Sequence, residues 1–162
     1  MKVKIGINGL GRIGRMVLRS IFEEKYKNIK INHINNRADI RTACDLIKRD
    51  SIHGKFRAKI SIEKNKLIIN GNKITYSQEN NLSSISWKKF NVDVVFECTG
   101  KFNSKDKLIS HIKNGARKVI VSAPCKDADK TIVYGVNHKI ISKKDKIISA
   151  ASCTTNCLAP VL

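Results

Sequence analysis

Of the five cysteines, Cys153 stands in the setting best suited to chemistry. The apolar pair Ile147-Ile148 and the small residues from Ser149 to Ser152 predict a buried strand end that turns into a helix starting at Cys153. A thiol there meets unpaired backbone N–H groups and the positive end of the helix dipole, which favour thiolate over thiol. Cys153 is therefore the candidate nucleophile. The same N–H groups can hold the oxyanion that forms when a thiolate attacks a carbonyl. Cys157, four residues on, shares the helix face, but the sequence shows no second pair of ligands, so no metal is expected. The bland alternative for Cys153 is a buried structural thiol.

A second pattern, Gly9-x-Gly11-x-x-Gly14, follows the β-branched run Val3–Asn8 and precedes apolar residues at Val17, Leu18, Ile21 and Phe22. Strand, glycine turn and helix come in the order that a dinucleotide fingerprint requires. Gly9 allows the tight turn, Gly11 lets the backbone approach a pyrophosphate, and Gly14 lets helix pack on strand. The pyrophosphate then sits over the helix N-terminus. Glycines also mark ordinary strand-to-helix turns, but these flanks favour a cofactor. A second strand, Ile29–Ile34, ought to end in an acidic residue for the adenosine ribose; Asn35-Asn36-Arg37-Ala38 stands there instead. Two readings remain open. Arg37 attracts the 2′-phosphate of NADP, or Asn36 hydrogen-bonds the ribose of NAD while Arg37 is solvated. A third strand, Val92–Glu97, is continuous enough in apolar residues to be buried, and Thr99 and Gly100 beyond it are placed to touch the cofactor.

The run Ala151-Ser152-Cys153-Thr154-Thr155-Asn156-Cys157-Leu158-Ala159-Pro160 resembles the active-site signature of phosphorylating glyceraldehyde-3-phosphate dehydrogenases, and Ile7–Arg15 resembles the same family. The resemblance implies that Cys153 forms a thiohemiacetal with glyceraldehyde 3-phosphate, that hydride passes to NAD or NADP, and that inorganic phosphate releases 1,3-bisphosphoglycerate. It implies phosphate contacts for Ser152 and Thr154, loop support from Asn156, and cofactor contacts for Arg12, Ile13, Thr99, Gly100 and Ser122. Two departures stand out. Ala150 replaces the family's usual Asn, and after Glu79 the run Asn80-Asn81-Leu82 replaces a common Arg-Asp-Pro. By resemblance the whole enzyme is a homotetramer whose base is a histidine of a following catalytic domain. The likeness covers nearly all 162 residues but about half of a family subunit, so residues 1–150 are expected to be the dinucleotide-binding domain and 151–162 the start of the catalytic-cysteine helix, with the catalytic domain absent. The rivals are a relative acting on erythrose 4-phosphate and a stand-alone basic module that binds nucleotide or RNA.

Composition fits one domain with a real core: 41% of residues are hydrophobic and only two are proline. The formal net charge of +19 alone suggests nucleic acid, but no basic run has interleaved aromatics, so nucleic acid is not the expected partner. Lysines spread over solvated faces would still attract anionic ligands. Five cysteines without repeated spacing fit a reducing compartment, and Met1-Lys2-Val3-Lys4 leads into a strand without a signal-peptide core, so a cytoplasmic protein is expected. No apolar run reaches membrane-spanning length.

The remaining elements must position these groups. Asp39 caps a helix with Ile40, Ala43, Cys44 and Ile47 on its inner face. Alternation over Phe56–Ile62, Lys66–Ile69 and Lys73–Tyr76 predicts antiparallel hairpins, with Asn70-Gly71-Asn72 turning between the last two. Trp87 reads as core. Ser104–Asn114 is a crossover helix to Lys118–Val121, Thr131–Asn137 reads as the next strand and its exit, and Lys146–Ser149 delivers the chain to Cys153. The fold class is α/β: a Rossmann doubly wound, mostly parallel sheet with a small antiparallel hairpin insertion.

Overall fold

A computed structural model describes residues 2–24 and 26–162; Met1, which opens the N-terminus read above, lies outside the described residues. The chain begins with β1 (Val3–Asn8), α1 (Arg12–Glu23), β2 (Ile29–Asn35) and α2 (Ile40–Lys48). A short hairpin, β3 (Arg49–Asp50) and β4 (Gly54–Lys55), leads to the antiparallel strands β5 (Ile60–Glu63), β6 (Lys66–Ile69) and β7 (Asn72–Ser77). Then come β8 (Val94–Glu97), α3 (Lys105–Lys113), β9 (Lys118–Val121), β10 (Lys130–Thr131), β11 (Ile147–Ser149) and α4 (Cys153–Leu158).

Among the described residues nine strands form one sheet in the order β10-β11-β9-β8-β1-β2-β7-β6-β5. The pairings from β10 to β7 are parallel, and β6 and β5 extend that edge antiparallel. The chain works outward from β1 to one side through β2 and β7. It then returns to place β8 on the other side of β1, so strand order reverses between β1 and β8. Ligands of doubly wound sheets bind at such a reversal, beyond the carboxyl ends of the strands.

The helices obey their apolar periodicity. Leu18 and Ile21 of α1, and Ala43, Cys44 and Ile47 of α2, are buried against Ile5, Ile7, Ile31 and Ile34 of the central strands. Asp39 caps α2 by accepting from the Arg41 and Thr42 N–H groups at 2.9 and 3.0 Å. Arg19 is buried although it is charged. Its guanidinium donates to the Gly54 and His53 carbonyls and lies 5.5 Å from the centre of the Phe56 ring, which ties the β3–β4 hairpin to α1. Trp87 is fully buried in a second cluster with Leu82, Ile85, Val92 and Val95.

Two sequence expectations fail in position. The strand expected to open Thr131–Asn137 is shorter than its apolar residues suggest: β10 covers only Lys130–Thr131, and the exit takes the rest. Pairing with β11 stops at Thr131, and residues 133–137 curl into a turn in which Val136 and Asn137 donate to the Val133 carbonyl and Gly135 has φ +92°. A sheet edge offers only one partner, so the local turn competes successfully with further pairing. The stretch Phe56–Ile62 starts four residues too early: β5 begins at Ile60, and Phe56 instead closes the β3–β4 turn by donating to the Lys48 carbonyl at 2.8 Å.

Candidate dinucleotide and thiol sites

The turn between β1 and α1 is built from contacts that only glycine allows. Gly9 has φ +92°, a left-handed conformation that a side chain resists, and its N–H donates to the Asn35 carbonyl. A Cβ at Gly14 would lie 1.9 Å from the Gly9 carbonyl oxygen, so α1 packs directly on the loop before it. A Cβ at Gly11 would meet nothing within 4 Å. Gly11 is also the N-cap of α1, and no side chain caps the helix, so its first N–H groups are left for a ligand. Arg12 opens the helix, but its guanidinium is drawn to Asp50 at 2.5 Å. The Asp50 carboxyl is held below the usual carboxylate range by the His53 and Ile52 N–H groups, with Arg12 adding to them.

A cleft of about 510 Å³ opens at the reversal between β1 and β8. Gly9, Gly11, Asn36 and Thr99 line it, whereas Arg12, Ile13, Gly14, Gly100 and Ser122 lie outside its lining. Asn36 is already committed on both sides. Its Oδ1 accepts from the Leu10 N–H at 3.0 Å, and its Nδ2 donates to the Tyr76 hydroxyl at 3.0 Å, which donates in turn to the Ala38 carbonyl. Asn36 thus braces the glycine turn against β7 as well as lining the cleft. Arg37 is exposed beside it and, among the described residues, has no carboxylate partner. Sequence reading missed Lys101 and Phe102, which also line the cleft. Their only signal was their place just beyond a strand end.

Thr99 and Ser122 are set by the ends of β8 and β9. The Thr99 N–H and hydroxyl both donate to Glu97 Oε1, at 2.8 and 2.5 Å, and the Ser122 N–H donates to the Glu97 carbonyl.

At the same carboxyl edge β11 delivers the cysteine loop. The Ala150 N–H donates to the Val121 carbonyl, and Ala151 then takes φ +60° while buried, a strained conformation for a residue with a Cβ. Ser152 Oγ accepts from the Thr155 N–H at 3.0 Å and caps α4, and its hydroxyl lies 2.9 Å from that of Thr154. Asn156 Nδ2 donates back to the Ala150 and Ser152 carbonyls at 2.7 and 2.8 Å, which locks the turn.

Cys153 and Cys157 are exposed, whereas Cys44, Cys98 and Cys125 are buried. Burial pushes the Cys98 thiol up to about 11, against a hydrogen bond from Ser122, and burial together with Asp127 pushes Cys125 up to about 11. At pH 7 such thiols are thiolate to roughly one part in ten thousand. Titration with a colorimetric disulfide reagent should therefore show two fast thiols in the folded protein and five after denaturation. Five fast thiols without denaturant would contradict this burial.

Among the described residues no three His, Cys, Asp or Glu side chains gather around a common metal position, and no helix is long and apolar enough to cross a membrane.

A parallel sheet in this order, with a glycine turn feeding a helix at the point of reversal, defines a Rossmann-type dinucleotide-binding domain. Residues 3–105 match the family described as glyceraldehyde 3-phosphate dehydrogenase, NAD binding domain, and the chain belongs to that family. Along its whole length it is 46% identical to a glyceraldehyde-3-phosphate dehydrogenase of Zymomonas mobilis, of which it covers 48%. It is 45% identical to glyceraldehyde-3-phosphate dehydrogenase 2 of Bacillus subtilis, of which it covers 47%. Over 99% of its length it is 43% identical to a Pseudomonas aeruginosa glyceraldehyde-3-phosphate dehydrogenase, of which it covers 48%. The chain spans about half the length of the curated relatives it matches.

Proposed function

We propose that this chain is the cofactor-binding portion of a phosphorylating glyceraldehyde-3-phosphate dehydrogenase, a cytoplasmic homotetramer when whole, and that Cys153 is its nucleophile. The observation that carries the reading is the coincidence of an open glycine-lined cleft and an exposed cysteine at one carboxyl edge of a parallel sheet.

The residues present fit a dinucleotide. Gly11 leaves room for a pyrophosphate over the uncapped start of α1, Gly9 and Gly14 hold the loop in place, and Arg12 and Ile13 flank it at the first turn. Asn36 and Arg37 would hold the adenosine ribose, and Thr99, Gly100 and Ser122, which follow the ends of β8 and β9, would hold the nicotinamide half. When bound, the nicotinamide supplies a hydride acceptor. Cys153 attacks the aldehyde carbon of glyceraldehyde 3-phosphate, forming a C–S bond and an oxyanion that takes up a proton. Loss of that proton to the histidine base that the resemblance places in the following domain, and of a hydride to the nicotinamide, leaves a thioester. Inorganic phosphate then attacks the thioester carbon, the C–S bond breaks, and the thiolate leaves with 1,3-bisphosphoglycerate as product. Ser152 and Thr154 lie beside the nucleophile, where their hydroxyls can turn toward a phosphate.

The test is calorimetric titration of the chain with NAD and NADP in turn. Saturable binding of either is expected, and tighter binding of NADP that Arg37→Ala levels would assign the 2′-phosphate to Arg37. A folded sample that binds neither would overturn the reading.

A further inference from the structure

A buried carboxylate lies beneath the cleft. Glu97, 1% exposed at the end of β8, has no lysine or arginine partner among the described residues. Four donors converge on it instead. Thr99 supplies its N–H and hydroxyl to Oε1, Asn8 donates from Nδ2 to Oε2 at 2.6 Å, and His111 Nε2 lies 2.9 Å from Oε2. Those four bonds use the acceptor capacity of an ionised carboxylate. The ring of His111 has its state dictated from behind. The Trp87 indole N–H, which can only donate, points at His111 Nδ1 at 2.9 Å, so Nδ1 must accept and Nε2 must carry the proton given to Glu97. Trp87, His111 and Glu97 are all essentially unexposed, and Asn8 and Thr99 at the far end line the cleft. Asn8 passes the chain on, because its Oδ1 accepts from Asn35 Nδ2.

We propose that Glu97 is a positioning residue for the dinucleotide: through four accepted hydrogen bonds it fixes Thr99 and Asn8 in the cleft wall, and the His111–Trp87 pair fixes Glu97. The proposal rests on the dinucleotide reading above. Its physical basis is that a hydrogen-bonded chain in a low-dielectric interior polarises along its length, so a ligand against Thr99 alters the Trp87 indole although Trp87 lies outside the cleft.

Glu97→Gln is nearly isosteric and discriminating. Its amide presents an NH₂ where the carboxylate accepted, and that NH₂ must face either the two Thr99 donors or the Asn8 and His111 donors. His111 cannot adapt by moving its proton to Nδ1, because the Trp87 N–H already points there. The expected result is a loss of about tenfold or more in NAD or NADP affinity. Wild-type binding with equal binding by a folded Glu97→Gln variant would overturn the proposal and leave the dinucleotide reading standing. Failure of the folded wild type to bind would overturn both.

A second measurement needs no variant. The chain has one tryptophan, so its indole N–H gives one resonance, which saturating dinucleotide should displace. A resonance that stays put at saturation would show that Glu97 is merely structural.

Discussion

Gly14→Ala is expected to destabilise the fold by about 2–4 kcal/mol and to abolish dinucleotide binding. The new methyl carbon would stand 1.9 Å from the Gly9 carbonyl oxygen and 3.3 Å from the Cys98 Cβ. A backbone oxygen cannot rotate away as the end of a side chain can. Nor can the loop yield, because Gly9 lies against Thr99 so closely that its own added Cβ would be 2.9 Å from the Thr99 nitrogen. Either α1 lifts from the sheet or the glycine turn deforms, and both destroy the cleft. Gly11→Ala is the contrasting change. Its methyl group meets no protein atom within 4 Å, so stability should fall far less while the methyl obstructs the path of a pyrophosphate. Urea unfolding and calorimetric titration of the two variants separate these effects. A Gly14→Ala protein with the wild-type urea midpoint would show that helix and loop are not in the contact described.

Acid is expected to weaken the fold before its carboxylates are neutralised, through His33. The ring is fully buried, with Nδ1 2.7 Å from the Thr75 hydroxyl and Nε2 2.9 Å from that of Ser77. It stacks on Phe90 at 3.6 Å between centres. Burial pushes its pKa down to about 3, with Thr75 opposing, from an ordinary value near 6.5. Below pH 6.5 the unfolded chain takes up a proton that the native ring refuses. The contribution of neutral His33 is thus fully present above pH 6.5 and is lost as pH falls toward 3, at roughly 1.4 kcal/mol per pH unit. Asp129 acts in a lower window. Lys105 and the Ile147 N–H hold its carboxyl at about 2, so its contribution is present above the ordinary 3.8 and is lost as pH falls below it. Between pH 6 and 4.5 the slope of unfolding free energy therefore contains the His33 contribution. His33→Gln should flatten that slope even though the variant is less stable at pH 7. A wild-type slope retained in the variant would assign the effect elsewhere.

The local parts of this fold were legible because each rests on a short-range rule. Runs of β-branched and apolar residues gave the central strands, Asp39 announced α2, the spacing of Gly9, Gly11 and Gly14 announced the turn, and small polar residues before Cys153 announced α4. The errors lay where a neighbour decided. The strand that opens Thr131–Asn137 stops early, because only one strand stands beside it and the turn through Gly135 satisfies its backbone as well. Asn36 was legible as a cleft residue, but its bonds to Leu10 and Tyr76 were not, since Tyr76 comes from β7 forty residues later.

The sequence by itself determined which groups could do chemistry: three glycines that permit close approach of the backbone, and a cysteine after a run of small residues. Tertiary structure decided which polar groups would be buried together. Glu97 meets Asn8 across 89 residues, His111 across 14, and through His111 the indole of Trp87, 24 residues from that ring. No periodicity announces such a meeting, because desolvation selects the partners only after the strands and helices have packed.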